Sequence, residues 1–181
     1  VAGDNYLGGE DFTKVMEKMF LNKTGINANS LTAKEQVRLY RQAEEAKRRI
    51  NDADKVEITC LIKEEPETVE ITTKDYAEEC EDLFSKIREP VKRSLSDAGL
   101  SLKDIDEVVL IGGATKLQIF RDFFIRLFHK FPDTSINPDE AVALGAAIQG
   151  AMKERKQAVK EMILTDVCSF TLGTEVVMEY S

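Results

Sequence analysis

The sequence predicts an α/β fold built from two modules. Residues 1–87 combine helical periodicity with a β-hairpin pattern, and residues 102–155 combine a short continuous apolar run, a glycine turn and two helices. A continuous apolar run of this length is typical of a strand buried on both faces of a sheet. Hydrophobic residues make up 43% of the chain and charged residues 32%, which is the balance of a globular protein with a real core.

Two helices are predicted in the first module. After a glycine-containing loop at residues 1–9, apolar residues recur at helical spacing over residues 11–22. Thr32 and Glu35 then form a capping-box pattern, and helical periodicity continues to about residue 51. Successive helical residues are ~100° apart, so the second helix has one apolar face. That face consists of Leu39, Ala43, Ala46 and Ile50.

A hairpin and a third helix complete this module. Apolar and polar residues alternate over residues 56–72, interrupted by a turn-like stretch at residues 64–67. Residues 74–98 have a helical pattern that Gly99 ends. Pro90 removes a backbone donor and clashes with the preceding turn, so it predicts a kink or a break in this helix.

The second module begins with the apolar run at residues 108–111, which predicts a buried strand. Two glycines then turn the chain into a helix over residues 116–130. A last helix, over residues 141–152, follows Asn137 as its cap, and its alanine and glycine content predicts close packing. The buried stripe of the helix at 116–130 is predicted to be Leu117, Phe120, Phe124 and Leu127.

Charge and composition argue against several classes of partner. Thirty-three acidic residues against twenty-five basic ones give a net charge of -8, which disfavours nucleic acid. No apolar run reaches the ~20 residues that cross a bilayer, so we expect no membrane partner and a cytoplasmic location. Cys60, Cys80 and Cys168 form no CxxC pair and His129 has no nucleophile beside it, so neither a metal site nor a catalytic residue is predicted.

The two ends suggest a piece of a longer protein. The chain begins with Val1 instead of methionine, and residues 175–181 form an apolar, strand-like run with no turn after it. We therefore expect neighbouring sequence on both sides.

A polar face of the second helix is the first candidate binding surface. Its residues are spaced i, i+3, i+4 and i+7, which places them together and away from the apolar face. A guanidinium there can stack on an adenine ring, and a carboxylate can accept hydrogen bonds from ribose hydroxyls. A solvated charged face is the alternative interpretation. The four residues are Glu44, Lys47, Arg48 and Asn51.

The glycine turn at residues 108–116, VVLIGGATK, is the second candidate. Glycines between a strand and a helix let the backbone approach a ligand, and helix N-terminal amides can face an anion. Close packing of strand on helix explains the same pattern. Residues 137–140 are likewise an ordinary helix start, and the glycine-rich residues 3–12 an ordinary turn or hinge.

Taken in order, five segments resemble consecutive segments of the Hsp70 chaperones, and the likeness covers essentially the whole chain. Details at residues 4–5, 126–128, 142–145 and 163–166 are closer to the HscC branch than to the general DnaK type. The five segments are GDNYLGGEDF (3–12), EEAKRRIND (44–52), LIGGATK (110–116), INPDEAVALGAAIQ (136–149) and ILTDVCSFTLGTEV (163–176).

This resemblance implies the second lobe of an actin-like (ribonuclease H-like) ATPase fold. Residues 1–87 would form an inserted helical and hairpin subdomain, and residues 88–158 a β-sheet subdomain. Residues 159–181 would form the interdomain linker and the start of a substrate-binding domain. Adenosine of ATP or ADP would lie between the subdomains, lined by Gly9, Glu44, Lys47, Arg48, Asn51, Gly112, Gly113, Ala114, Thr115, Lys116 and Asp139.

The chain departs from the usual family pattern at four positions. Ala114 and Asn51 stand where serine is usual, and Lys116 stands where arginine is usual. A hydroxyl contact and a planar stacking group are therefore replaced, which predicts altered adenine recognition. Thr165 interrupts the usual leucine run of the linker, which predicts weaker docking.

The resemblance also implies what the parent protein does. It would be a chaperone ATPase of protein folding and stress response that couples its ATP state to peptide binding through the linker. Its partners would be a J-domain co-chaperone, a nucleotide exchange factor and unfolded client peptides. The phosphate loops and the Mg²⁺-organising acids would precede this chain, which alone should not hydrolyse ATP.

Two alternatives share the same fold, namely a sugar-kinase-like enzyme and an actin-like filament protein. A sugar kinase needs sugar-binding acids, which we do not find in the pattern, and the linker-like run at residues 161–166 favours a chaperone. An isolated docking surface for an exchange factor also remains open.

Overall fold

A computed structural model of the chain describes residues 1–154, 163, 165, 168 and 170–175. Helices and a two-stranded antiparallel sheet make up the described part, in the order α1 (Gly9–Thr24), α2 (Ala33–Arg49), β1 (Lys55–Ile62), β2 (Glu65–Thr72), α3 (Thr73–Glu79), α4 (Glu81–Ala98), α5 (Gln118–Phe128) and α6 (Ala141–Lys153). Single 3-10 turns lie at Ala28–Ser30, Ile50–Asp52, Leu102–Asp104 and Gly113–Lys116. None of the described helices combines the length and the hydrophobicity that crossing a bilayer requires.

The first two helices form where the sequence predicts them. The side-chain oxygen of Thr32 accepts from the amide of Glu35, and the Glu35 carboxylate accepts from the amide of Thr32, so the predicted capping box is present. The predicted apolar face of α2 is confirmed, since all four of its residues are almost completely buried. They pack α2 against α1 and the hairpin.

The hairpin has the predicted alternation but a different turn. Along β1, every second residue from Val56 to Ile62 is buried, as predicted. The turn is Lys63 and Glu64, whose φ angles of 51° and 69° suit a two-residue hairpin loop, and it does not extend over residues 64–67. Pro66 instead pairs with Leu61 inside β2, where the free edge of the ribbon tolerates a residue without an N–H.

Glu35 ties this turn to the start of α2. Its Oε1 accepts a hydrogen bond of 2.7 Å from the backbone amide of Lys63, while its Oε2 serves Thr32. Hydrogen bonds from these backbone amides lower the pKa of the Glu35 carboxyl to about 2. One carboxylate therefore stabilises both the helix start and the left-handed turn.

The third predicted helix is divided at a different residue. The break falls at Cys80, between α3 and α4, and α4 continues through Pro90 to its left-handed cap at Gly99. The prediction of a break at Pro90 was therefore wrong, whereas the kink offered as its alternative stays a prediction. Pro90 lies in the middle of an 18-residue helix, where the missing hydrogen bond is one among many and does not end the helix.

The predicted buried strand at residues 108–111 is also wrong. One isolated parallel bridge joins Val109 to Asp133, and it is the sole strand pairing outside the hairpin in the described residues. Val108 is buried, but Val109 and Ile111 are 45% and 52% exposed. A strand buried on both faces needs a neighbour on each side, and the described residues provide a single bridge.

The last two helices differ from prediction in their packing. Helix α5 begins at Gln118, and its most buried residues are Ile119, Phe120 and Phe123, whereas Phe124 and Leu127 are half-buried. Asn137 caps the turn ahead of α6, with its Oδ1 accepting from the amide of Asp139. No residue of α6 is buried within the described part of the chain, so the predicted close packing is not seen there.

An aromatic cluster connects the two predicted modules. The ring centroids of Phe12 in α1 and Phe120 in α5 lie 4.7 Å apart, and those of Phe84 in α4 and Phe123 in α5 lie 4.8 Å apart. The hydroxyl of buried Tyr76 donates to the carbonyl of Phe12, which fixes α3 against α1. The core therefore runs without interruption from α1 to α5.

The subdomain boundary between residues 87 and 88 stays a prediction, and α4 runs across it. The predicted linker and substrate-domain start, residues 159–181, fall largely outside the described residues.

Acid should weaken the fold through Glu35. The pKa of this carboxyl is depressed from 4.5 to about 2 in the folded chain, so its stabilisation is complete above pH 4.5 and is lost as the pH falls towards 2. Urea unfolding of the wild type should show a free energy of unfolding that drops more steeply across this range than that of Glu35→Gln. Parallel curves for the two proteins would contradict the assignment.

Candidate functional site

A cleft of about 620 Å³ lies between two walls. One wall is formed by the start of α1 and the polar face of α2, and the other by the 3-10 turn at Gly113–Lys116 and the turn before α6. The cleft is lined by Gly9, Glu10, Tyr40, Glu44, Lys47, Arg48, Asn51, Gly113, Ala114, Lys116, Leu117 and Asp139.

Nine of the eleven residues predicted to surround adenosine line this cleft, and Gly112 and Thr115 do not. Gly112 has a φ of 89°, and its amide donates to the carbonyl of Pro138, so it shapes the glycine turn without lining the cleft. Thr115 lines two neighbouring grooves, and its hydroxyl donates to the carbonyl of Gly112. The structure thus brings the two predicted surfaces together, whereas the ligand role of each residue stays a prediction.

Lys47 is committed to protein contacts. Its ammonium donates to the hydroxyl of Thr13 at 2.8 Å, to the carbonyl of Gly9 at 3.0 Å and to the Glu44 carboxylate at 2.7 Å. An ammonium has three donors, and all three are occupied. With the residue only 8% exposed, Lys47 braces α1 against α2 and has no donor left for a ligand.

Glu44 is held ionised at the centre of this network. Partial burial favours the neutral acid, but hydrogen bonds from Lys47 and Thr13 outweigh it and hold the pKa of the Glu44 carboxyl below its usual value. A carboxylate offers about four lone-pair sites, and Thr13, Lys47 and Arg48 take three of them. One acceptor position is therefore open to a ligand hydroxyl.

Arg48 is the most accessible cation on the α2 wall. Its side chain is 71% exposed, and its Nε donates to Glu44 Oε1 at 3.1 Å. This bond fixes the inner end of the guanidinium and leaves its face available to a planar ligand.

Gly9 sets how closely the walls approach. A Cβ atom at Gly9 would lie 3.4 Å from that of Ala114 and 3.9 Å from the Nζ of Lys47. The bare backbone and the small Ala114 side chain therefore allow the start of α1 to lie against the glycine turn.

Two residues on the opposite wall neutralise each other. Lys116 forms an ion pair with Asp139, and both side chains are about half exposed. The pair bridges the glycine turn to the turn before α6. Gly113 lies alongside, because a Cβ there would be 3.6 Å from the Asp139 carboxylate.

Asn51 connects the walls directly. Its Nδ2 donates to the carbonyl of Lys116 and its Oδ1 accepts from the amide of Gln118, both at 2.9 Å. The side-chain amide is thus occupied by backbone groups of the other wall.

Three cleft residues were missed from the sequence: Glu10, Tyr40 and Leu117. Tyr40 precedes Glu44 by one helical turn, so extending the polar face by four residues would have found it. Burial, followed by the nearby carboxylates of Glu10 and Glu44, raises the pKa of its phenol. Leu117 fits a buried helix stripe equally well, and no sequence signal marks it as a cleft residue.

The chain has recognisable relatives among known proteins. The family model described as Hsp70 protein matches residues 1–180. The chain is similar to the chaperone protein DnaK of Deinococcus deserti, with 36% identity over 186 aligned positions. The alignment covers 97% of this chain and 30% of the relative, so the chain spans less than a third of the relative's length.

Removing the Lys47 ammonium should destabilise the fold. Lys47→Met leaves Thr13, Glu44 and the Gly9 carbonyl without their shared donor, and loss of a buried partner of this kind costs about 2–3 kcal/mol. Urea unfolding would measure it. The matched control is Lys18→Met, because Lys18 makes a surface contact with Glu79 worth under about 1 kcal/mol. Equal losses in the two variants would contradict the bracing role.

Proposed function

Because the chain belongs to the Hsp70 family, we propose that it is the adenosine-binding lobe of an Hsp70-type chaperone ATPase. The observation that carries the proposal is the cleft in which the polar face of α2 meets the turn at Gly113–Lys116. Its volume of about 620 Å³ lies within the range of ~300–1,000 Å³ typical of small-molecule sites.

Adenosine fits the chemistry of the two walls. The exposed guanidinium of Arg48 stacks on the base, and the open acceptor position of Glu44 receives a ribose hydroxyl. Gly113 and Ala114 form the opposite wall, where small side chains leave space for a flat ring. Lys47 and Asn51 act by holding these groups in place, since their polar atoms are occupied.

We further propose that the chain corresponds to the second lobe of the actin-like fold, in the HscC-like branch. Residues 1–87 and 88–158 are its two subdomains, and residues 159–181 are the linker and the start of the substrate-binding domain. The phosphates of ATP or ADP and the Mg²⁺ ion are then held by other parts of a longer protein. This chain alone has no hydrolytic activity.

In that longer protein the nucleotide state is coupled through the linker to the binding of unfolded client peptides, in the cytoplasm. A J-domain co-chaperone and a nucleotide exchange factor are the expected partners. The sugar-kinase-like and actin-like alternatives share the fold, and membership of the Hsp70 family is the reason to prefer the chaperone.

Arg48→Ala should weaken ADP binding about tenfold in a protein of full Hsp70 length, because a cation stacked on a base contributes about 1–2 kcal/mol. Isothermal titration calorimetry measures the change. The control is Arg41→Ala, an exposed arginine on the same helix that does not line the cleft. Unchanged affinity in Arg48→Ala, with a normal circular dichroism spectrum, would count against the pocket.

The isolated 181-residue chain should bind ADP weakly or not at all. Only the adenosine contacts are present, and they must offset the loss of ligand freedom without help from the phosphates. Calorimetry should give a dissociation constant well above the micromolar range. Micromolar binding would show that this lobe is sufficient by itself.

A further inference from the structure

We infer that Asn51 is a clasp that holds the two walls of the cleft at a fixed spacing, and that opening this clasp limits nucleotide release. The first half of the inference concerns the chain alone, and the second half rests on the proposed function.

The clasp is defined by two hydrogen bonds from one side chain. Asn51 lies in the 3-10 turn Ile50–Asp52 that follows α2. It donates to the carbonyl of Lys116 and accepts from the amide of Gln118. One partner is an acceptor and the other a donor, so only one orientation of the amide satisfies both.

The side chain of Asn51 also caps α5, which has no capping side chain of its own. The residue before α5 is Leu117, which has no side-chain acceptor, and no side-chain cap is formed there. The first amides of a helix have no partner within the helix, and Gln118 is the first residue of α5. The Oδ1 of Asn51 therefore caps α5 from the opposite wall.

These two bonds are the polar link between the walls. Among the described residues, they are the only hydrogen bonds or ion pairs identified between residues 1–80 and residues 108–153. The rest of the contact is apolar and centres on the rings of Phe12 and Phe120, with Phe84 of α4 packed against both. Apolar contacts are non-directional, so they tolerate a small rotation that breaks directional hydrogen bonds.

The position of Asn51 suits a clasp that opens. Asn51 is exposed and lies at the cleft, whereas the aromatic cluster is buried. Water can replace hydrogen bonds at an exposed site, so their net stabilisation is modest and reversible. The buried rings then act as the pivot, and Asn51 decides how often the cleft is open.

Amide hydrogen exchange tests the clasp in the 181-residue chain. Asn51→Ala removes the side-chain amide and with it both hydrogen bonds, and the amide of Gln118 should exchange at least about tenfold faster. The control is Asn22→Ala, the same change at an exposed asparagine of α1 outside the cleft. Equal protection of Gln118 in both variants would overturn the clasp.

Nucleotide release tests its role in a protein of full Hsp70 length. Stopped-flow displacement of a fluorescent ADP should show dissociation roughly tenfold faster in Asn51→Ala, with the association rate changed much less. If Gln118 loses protection while ADP release is unchanged, the clasp exists but does not limit release, and the inference fails in its second half. If the wild type does not bind ADP, the proposed function fails, and the second half of the inference fails with it. The hydrogen-exchange result still shows whether the clasp exists.

Discussion

The ammonium of Lys47 is the constraint on which the α1 and α2 wall depends. A buried cation must have its donors satisfied, and Thr13, Gly9 and Glu44 provide the acceptors. These acceptors come from both helices, so the network fixes α1 relative to α2. The same network orients Glu44, which in turn holds the Nε of Arg48. Lys47, which has no donor left for a ligand, therefore positions Glu44, with its open acceptor position, and Arg48, with its exposed guanidinium.

The candidate site was more predictable than the fold around it, because it depends mainly on helix geometry. Residues spaced i, i+3, i+4 and i+7 must share a face, so Glu44 and Arg48 lie together in any helix that forms there. The inward orientation of Lys47 could not be predicted in this way, because it requires an acceptor on α1. Thr13 carries no sequence signal that pairs it with a residue 34 positions later.

The errors in the fold share a related cause. At residues 64–67 a proline and several glutamates were interpreted as a turn, although the turn is set by the left-handed conformation of Lys63 and Glu64. Neither is a residue type that usually marks this conformation, and an anchor from Glu35 helps to hold it. At residues 108–111 composition predicted a buried strand, but burial depends on neighbours that a local pattern does not specify.

The departures from the usual family residues change how the proposed site would work. Lys116 stands where a guanidinium would present a plane to the base, yet its charge is already paired with Asp139. Asn51 and Ala114 replace hydroxyls, the first using its amide on the backbone of the opposite wall and the second leaving only a methyl group. Three positions that would recognise the base by direct contact therefore shape the cleft instead. In the proposed site, Arg48 would then contact the base and Glu44 the ribose, both from a single helix, so selectivity for adenine would depend on how closely the glycine turn is held against that helix.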